Sequence, residues 1–301
     1  MNIKIEETTS LEGLYPLWQS ALGDIWPLSE RSFIGKLSNK NSTTLTAFDG
    51  DELVGMITIN GANITVILVH PDSQRKGVGS ALLDSAISKI KKSGQVKVMA
   101  GQGGGYFWPG VPTNLPGTLK FLECKGWASG ELVTDMFCDL SRYSVPEDIE
   151  EKISSSNVQT RLSSPSDAED ILGFEKKYFP EWEGTSTKEV SNKNFDNIML
   201  ATEGSEIIGT NFLFSPKDKN YATHFPWTEI LGDKTGGYGC LGVNEAFRGR
   251  YIGYKLAVYS ERLLIERGCT ASHLHWVFSI EWYERLGYKV WRQYQEMSLE
   301  I

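Results

Sequence analysis

One fourteen-residue pattern occurs twice in the chain, and the distance between its copies limits what the chain can fold into. VHPDSQRKGVGSAL at 69–82 aligns without a gap to VNEAFRGRYIGYKL at 243–256, an offset of 174 residues. At the same offset, Gly94 aligns with Gly268, after the segment that follows each copy. Solenoid proteins repeat every ~20–50 residues, whereas this period is the length of a whole domain. The sequence therefore predicts two domains of one plan.

Similar short segments lie before and after each copy. Upstream, ELVG (52–55) corresponds to EIIG (206–209), each after an apolar run and a Gly/Asp turn that indicates a β-hairpin. Downstream, FLECKGW (121–127) corresponds to WYERLGY (282–288), each predicted to end a helix in a Gly-aromatic pair before a final strand. The sequence of each half therefore predicts the same elements in the same order. They are a helical region, a hairpin, a strand, a glycine loop, a helix, a strand, a second helix and a last strand.

The predicted fold class is mixed α/β, with two tandem domains that each contain a twisted mixed sheet flanked by helices. We place the N-terminal domain at 1–142 and the C-terminal domain at 157–301. Residues 143–156 are polar and contain a proline, so they are predicted to form a linker or a short connecting helix.

Composition and charge exclude several classes of function. The formal net charge is −8 and the pI about 5.2, whereas nucleic-acid binders normally carry a basic face. No apolar run approaches the ~18 residues of a membrane span, and the N-terminus lacks the apolar stretch of a secretory signal. The four cysteines lack metal-site spacing, so we expect reduced thiols, a cytoplasmic location and no metal. His273 and His275 alternate on a predicted strand as packing or pocket residues.

The first copy of the pattern has the features of an anion-binding loop. It follows the β-branched apolar run ITVILV and precedes an amphipathic helix. Backbone N–H groups at a helix N-terminus bind anions, and glycines such as Gly77 and Gly79 let a ligand come close. Arg75 and Lys76 add positive charge where phosphate oxygens would lie. The apolar face of the helix consists of Leu82, Leu83, Ala86 and Ile90.

The spacing distinguishes among three phosphate-binding motifs. The loop lacks the GxxxxGK[ST] of a Walker A motif, and GVGSAL lacks the third glycine of a dinucleotide fingerprint. The pattern that does match is [QR]-x-x-G-x-[GA], through Gln74, Gly77 and Gly79. Its position between an apolar strand and an amphipathic helix makes it more specific than the two glycines alone.

Through these residues the chain resembles the GNAT superfamily of N-acetyltransferases, whose acetyl-CoA pyrophosphate loop has this pattern. The resemblance extends over both halves. It implies sheets splayed open between their fourth and fifth strands, with the pantetheine arm of acetyl-CoA in the split. It also implies direct attack of an amine on the thioester, with no covalent enzyme intermediate. The coenzyme-binding residues it implies are Leu68, Val69, Gln74, Arg75, Lys76, Gly77, Val78, Gly79, Ser80 and Asn114.

Each half departs from the family pattern at a different position. The tyrosine that often protonates the leaving thiolate in the family corresponds to Tyr283 in the second half and to Leu122 in the first. In the second loop, Tyr251 stands where the first loop has Gly77. Because a tyrosine disfavours positive φ and brings a side chain towards the pyrophosphate, we expect weaker coenzyme binding there.

These departures leave several hypotheses open. In one, the N-terminal domain transfers the acetyl group without this tyrosine, because a thiol with a pKa of about 8.5 leaves readily as its anion. Alternatively, Tyr106 donates the proton in that domain. In another, the C-terminal domain is catalytic through Tyr283. A third is a non-catalytic acyl-CoA-binding sensor or scaffold. No general base stands out, and His70 is a base candidate or a turn residue.

The predicted acceptor is a cationic primary amine, because an acidic protein attracts a cation. A small-molecule amine is preferred, and a protein lysine or N-terminus is the alternative. Residues 101–121 contain six glycines and three prolines and have no counterpart in the second half. They are predicted either to form a wall of the acceptor pocket or to pack as a structural loop. A second domain without catalysis would complete the acceptor pocket or form a homodimer interface.

Overall fold

The chain divides into two units, and neither is one continuous stretch of sequence. The computed structural model describes residues 2–39, 41–102, 106–219, 221 and 225–301. The first unit comprises residues 1–134, 222–232 and 291–301, and the second comprises residues 135–221 and 233–290. The C-terminal segment 291–301 therefore packs with the first half of the sequence.

The strands of the first unit run in the predicted order, with additional short strands. They are β1 (Ile3–Thr8), β2 (Ser42–Asp49), β3 (Glu52–Asn60), β4 (Asn63–Val69), β5 (Lys97–Ala100) and β6 (Val111–Pro112). The first four are antiparallel neighbours, and β5 is parallel to β4. The sequence patterns had not revealed β1 or β6. β7 (Ala128–Asp139) begins in this unit and ends in the second.

The second unit repeats this arrangement. Its strands are β8 (Gln159–Leu162), β9 (Ile198–Glu203), β10 (Glu206–Phe214), β11 (Thr235–Val243) and β12 (Ala271–Val277). β8 to β11 are antiparallel neighbours and β12 is parallel to β11. The last strand, β13 (Lys289–Glu300), ends in the first unit, where Met297–Glu300 pair antiparallel with Lys97–Ala100 of β5.

Both predicted hairpins are present. β2 and β3 turn at Gly50 and β9 and β10 turn at Gly204, each with a φ of 62° that glycine adopts without strain. The second glycine of each hairpin motif has a packing role. A Cβ on Gly55 would lie 3.0 Å from Leu82, and one on Gly209 would lie 3.0 Å from Leu256. These glycines therefore let the helix after each loop pack close to the sheet.

The two parallel strands of each unit separate, as predicted. The register of β4 with β5 ends at Ile64 and Ala100, whereas β4 continues to Val69. The register of β11 with β12 ends at Gly236 and Ser272, whereas β11 continues to Val243. The later backbone groups of β4 and β11 thus face a split that a ligand can enter.

Helices cover the sheets through apolar faces. In the first unit they are α1 (Tyr15–Leu22), α2 (Glu30–Leu37), α3 (Val78–Lys92), α4 (Pro116–Cys124) and α8 (Thr228–Leu231). In the second they are α5 (Glu147–Ser154), α6 (Ala168–Tyr178), α7 (Glu183–Ser191), α9 (Ile252–Glu266) and α10 (Ile280–Glu284). The predicted face of α3 is buried, and Gly94 and Gly268 follow α3 and α9 at φ of 84° and 85°.

The predicted connecting segment contains α5, whose Ile149 and Ile153 are 0% and 2% exposed. This short helix therefore packs into the core of the second unit. Within the described residues, no helix is both long and apolar enough to cross a membrane.

Candidate functional site

The first loop is a tight turn between β4 and α3. The side chain of His70 accepts a hydrogen bond from the N–H of Asp72 at 3.4 Å, which is the turn role considered for it. Gln74 Nε2 donates to the carbonyl oxygen of Val69 at 3.2 Å. Arg75 and Gly77 have φ of 61° and 90°, and Gly77 directly precedes α3. The glutamine of the motif therefore fixes the loop to the end of β4.

Most of this loop is open to solvent. Residues 74–77 are exposed, and Gly79 and Ser80 are half-buried. Val78 is 1% exposed, so it can contact an anion only through its backbone. Because the first N–H groups of a helix lack partners within the helix, the start of α3 offers donors to an anion beside the charges of Arg75 and Lys76.

The other residues implied for the coenzyme lie on β4 and just before α4. Leu68 is 2% exposed and Val69 is half-buried, and both follow the point where β4 leaves β5. Asn114 is exposed and lies just before α4. α4 packs on the loop, since a Cβ on Gly79 would lie 3.6 Å from the Phe121 ring.

The second loop has the same backbone course as the first. Arg248 Nε donates to the carbonyl oxygen of Val243 at 3.1 Å, as Gln74 does to Val69. Gly249 and Tyr251 have φ of 79° and 59°, at the positions of Arg75 and Gly77. Tyr251 thus adopts the left-handed conformation, which costs a residue other than glycine about 1–2 kcal/mol, and the turn is the same as in the first loop.

A cavity of about 520 Å³ lies beside the second loop. Its wall includes the end of β11, the loop itself, the start of α9 and part of α10. Its aromatic lining consists of Phe179, Trp182, Phe247, Tyr251, Tyr254, Trp282 and Tyr283. The rings of Tyr254 and Trp282 stack at 4.3 Å between centroids. The second loop and Tyr283 therefore share one cavity, with the Tyr251 side chain in its wall.

The positions of the family's tyrosine differ in character between the units. Tyr283 is half-buried, and burial raises its pKa, with the Glu261 carboxylate adding to the rise. Leu122 is 3% exposed and packs in the core of the first unit. Tyr106, the substitute donor considered for that unit, lies beside Lys36, whose ammonium is 5.8 Å from its ring centre.

Two aromatic residues of the glycine-rich segment, Phe107 and Trp108, are packed in the interior of the first unit. Phe107 and Trp108 are 3% and 5% exposed. Trp108 stacks on Trp18 and on Trp227, with centroids 5.7 and 5.8 Å apart. Residues 103–105 of this segment lie outside the described residues.

Two polar pairs, both missed by the sequence reasoning, lie near the ends of the splayed strands. In the first unit, Gln102 Nε2 donates to Glu296 Oε1 at 2.8 Å, just after β5. In the second, His273 Nε2 lies 3.4 Å from Asp135 Oδ2, and the side chains are 0% and 2% exposed. Among the described residues, no three His, Cys, Asp or Glu side chains are grouped to hold a metal ion.

Two buried glutamates in the second unit have raised pKa values. Burial raises the pKa of Glu175 to about 7, although Thr210 donates a hydrogen bond to it at 2.5 Å. Burial raises the pKa of Glu261 to about 8, although tyrosine hydroxyls around it act in the opposite direction. Both carboxyls favour the neutral form inside the fold.

Each half of the chain matches a protein-family model of GNAT acetyltransferases. Residues 27–102 match the model of an acetyltransferase (GNAT) domain, and residues 168–288 match that of the acetyltransferase (GNAT) family. Both matched ranges include the strand and hairpin that lead to the split. No curated protein matches the chain.

Solved structures similar to this one include three that extend along nearly the whole chain. A GCN5-related glucosamine N-acetyltransferase region of a fungal multi-domain GH3 β-N-acetylglucosaminidase has a TM-score of 0.92 at 26% identity. It covers 99% of this chain, which spans only 38% of that protein. A GCN5-related N-acetyltransferase from Sphaerobacter thermophilus has a TM-score of 0.73 at 16% identity, with coverages of 98% and 95%. A tandem GNAT protein from the clavulanic acid biosynthesis pathway has a TM-score of 0.67 at 14% identity. It covers 99% of this chain, which covers 98% of that protein.

Proposed function

The chain belongs to the GNAT superfamily of acetyltransferases, with two such domains in tandem, and from this we propose that it moves the acetyl group of acetyl-CoA to a primary amine of a small molecule. The observation that carries the proposal is the exposed loop at the start of α3, beside the open edge of β4. We retain 1–142 and 157–301 as the proposed domains, joined by 143–156. A cytoplasmic location is part of the proposal, because the four cysteines are free.

In this proposal the first loop binds the pyrophosphate. The N–H groups from Arg75 to Ser80 donate to phosphate oxygens, and Arg75 and Lys76 supply positive charge. The dipole of α3 adds about 0.3–1 kcal/mol for an anion at its N-terminus. The backbone of Leu68 and Val69 binds the pantetheine arm in the split, and Asn114, just before α4, is a further proposed contact. Gly77 keeps this path free of a side chain.

The chemistry proposed for this site needs few side-chain groups. An uncharged amine attacks the thioester carbonyl carbon, the carbon–sulfur bond breaks, and the thiolate leaves with the electron pair. Because a thiol has a pKa of about 8.5, the thiolate needs little help from a general acid. The core position of Leu122 is compatible with this reaction, and Tyr106 remains the proposed substitute donor.

The proposed acceptor class is a cationic small amine, with an amino sugar as the first to test. The fungal region described as a glucosamine N-acetyltransferase is 26% identical over 99% of this chain. The net charge of −8 favours a cation. Glucosamine is therefore the first member of the amine panel.

The second unit is the alternative place for the same reaction. The cavity beside its loop includes Tyr283, and the loop keeps the turn that binds pyrophosphate in our proposal. Against it, Tyr251 lines that cavity where the first loop has only Gly77. The first unit therefore remains the proposed site.

Replacing Tyr283 with phenylalanine tests this choice. If the first unit is catalytic, Tyr283→Phe should change turnover of acetyl-CoA with an amine by less than about tenfold, well below the loss of a working general acid. Tyr259→Phe, on the exposed part of α9, is the control. A loss of about 10³-fold specific to Tyr283→Phe would move catalysis to the second unit.

Calorimetric titration with acetyl-CoA, combined with thiol release on an amine panel, tests the function itself. We expect binding and thiol release above the hydrolysis background with at least one primary amine. Binding without release on every amine would favour the sensor or scaffold. An absence of binding in calorimetry and in a second assay would overturn the proposal.

A further inference from the structure

The first unit has a carboxylate where its split begins. Met297 of β13 pairs with Ala100 of β5. Because the two strands are antiparallel, Glu296, which precedes Met297, lies opposite Gly101, which follows Ala100. The N–H of Gly101 donates to the carbonyl oxygen of Ile64 at 2.8 Å, and from Ile64 the strand β4 diverges from β5. Glu296 therefore lies across β5 from the start of the open edge of β4.

Neighbouring groups hold the Glu296 side chain in place. Gln102 Nε2 donates to its Oε1 at 2.8 Å. On the other side, a Cβ on Gly130 of β7 would lie 3.2 Å from Oε2, so the glycine leaves room for the carboxylate. Glu296 is half-buried rather than sealed in the core. One oxygen is thus fixed by a neutral donor while the group stays accessible.

A second polar group at the same end of the split lacks a partner. Thr65 lies in a bulge of β4, where the register with β3 shifts between Ile64 and Val66. Its side chain is 3% exposed, and its hydroxyl has no hydrogen-bond partner among the described residues. Buried polar groups are nearly always paired, so water or a ligand is the expected partner of this hydroxyl.

The second unit has a carboxylate at the corresponding sequence position, but in a different state. Asp135 and Glu296 each stand nine residues after the glycine of a Gly-aromatic pair. Asp135 is 2% exposed and lies 3.4 Å from His273, and it accepts a hydrogen bond from the N–H of Trp276 at 3.0 Å. Asp135 is thus committed to contacts inside the fold, whereas Glu296 is only half-buried.

Resting on the proposed function, we propose that Glu296 binds the ammonium group of the acceptor and removes its proton. One N–H proton passes to the Glu296 carboxylate, and the freed lone pair attacks the thioester carbonyl carbon. After the attack the nitrogen carries two protons and a positive charge. When the carbon–sulfur bond breaks, one of these protons passes to the thiolate to give the thiol, and the other stays on the amide. Glu296 then releases its proton to water and is again a carboxylate. The base that the sequence patterns did not reveal is then supplied by the last strand of the chain.

Charged side chains on the neighbouring strands define the electrostatic setting of Glu296. Arg292 of β13 has its guanidinium 5.7 Å from the Trp26 ring centre. Glu131 of β7 is exposed, and Lys97 of β5 pairs with Glu300 at 3.6 Å. Among the described residues, the side-chain partner of Glu296 is the uncharged amide of Gln102, which leaves the carboxylate charge to attract an ammonium.

The test compares Glu296→Gln with Glu300→Gln, an identical change on an exposed residue of the same strand. Acetyl-CoA and glucosamine, or the best amine of the panel, are the substrates, and kcat/KM is measured from pH 6 to pH 10. Glu296→Gln should lower kcat/KM near neutral pH by about 10²–10⁴-fold. It should leave acetyl-CoA affinity within about twofold of wild type, because the pyrophosphate loop is untouched.

The pH profile separates a base from a structural residue. Without a base only the uncharged amine reacts, so the rate of Glu296→Gln should rise about tenfold per pH unit towards the pKa of the amine and approach the wild-type rate. Glu300→Gln should follow wild type throughout. Wild-type kcat/KM in Glu296→Gln, or a deficit that does not depend on pH, would overturn the assignment while leaving the acetyltransferase proposal standing. Wild-type protein that acetylates no amine would overturn both.

Discussion

Replacing Gly77 with tyrosine should lower the affinity of the chain for acetyl-CoA by about 100-fold or more. The loop would keep its turn, because Gly77 has nothing within 4 Å of a built Cβ and Tyr251 adopts the same turn in the second loop. The added ring would then lie where the pyrophosphate must meet the N–H groups of α3. Loss of two charge-assisted hydrogen bonds, each worth roughly 1.5–3 kcal/mol, corresponds to this fold-change.

The matched control is Gly94→Tyr, at the other end of α3. Gly94 has a φ of 84°, close to the 90° of Gly77, and likewise nothing within 4 Å of a built Cβ. Both variants therefore bear a similar backbone strain, but only Gly77→Tyr places a ring at the loop. Calorimetry should show one site per chain in Gly94→Tyr and none in Gly77→Tyr. Wild-type affinity in Gly77→Tyr would place the coenzyme in the second unit, whose loop already carries a tyrosine.

The sequence was sufficient to predict the loop, the helix after it and the hairpin before it, because these depend on neighbours in the chain. The turn at Gly77, the bond from Gln74 to Val69 and the buried face of α3 are all local features. Tyr251 adopts a φ of 59° although tyrosine disfavours this conformation, and the weaker coenzyme binding expected at this loop stays a prediction. A steric preference of about 1–2 kcal/mol is readily outweighed by the packing of a whole helix.

The pairing of β13 with β5 could not be predicted in this way. A final strand was expected after Tyr288, but an alternating pattern specifies which face of a strand is buried and not which strand lies next to it. Glu296 was missed for the same reason. A signal did exist, since Asp135 and Glu296 occupy the same position after each Gly-aromatic pair, but an acid on a strand has no meaning until its partners are known.

The stability of the second unit should fall as the pH rises from 5.5 to 8 because of Glu261. Its carboxyl is 0% exposed on α9, and burial raises its pKa to about 8 from an ordinary value near 4.5. In that range the unfolded chain has lost the proton and the folded chain keeps it, so each rise of one pH unit lowers the free energy of unfolding by about 1.4 kcal/mol. The Tyr238 hydroxyl, which donates to Glu261 at 3.1 Å, only partly offsets the burial.

Glu261→Gln isolates this contribution, because glutamine resembles the protonated carboxyl and cannot ionise. Denaturant unfolding should show that the stability difference between variant and wild type grows by about 3 kcal/mol in favour of the variant between pH 5.5 and pH 8. Glu175, whose pKa is raised to about 7, contributes to the pH dependence of stability in both proteins. This contribution is the same in the two and cancels when they are compared. Glu266→Gln, exposed at the end of the same helix, should follow wild type. Parallel pH profiles for Glu261→Gln and wild type would mean that Glu261 is ionised inside the fold, with its charge balanced by the surrounding hydroxyls and Arg262.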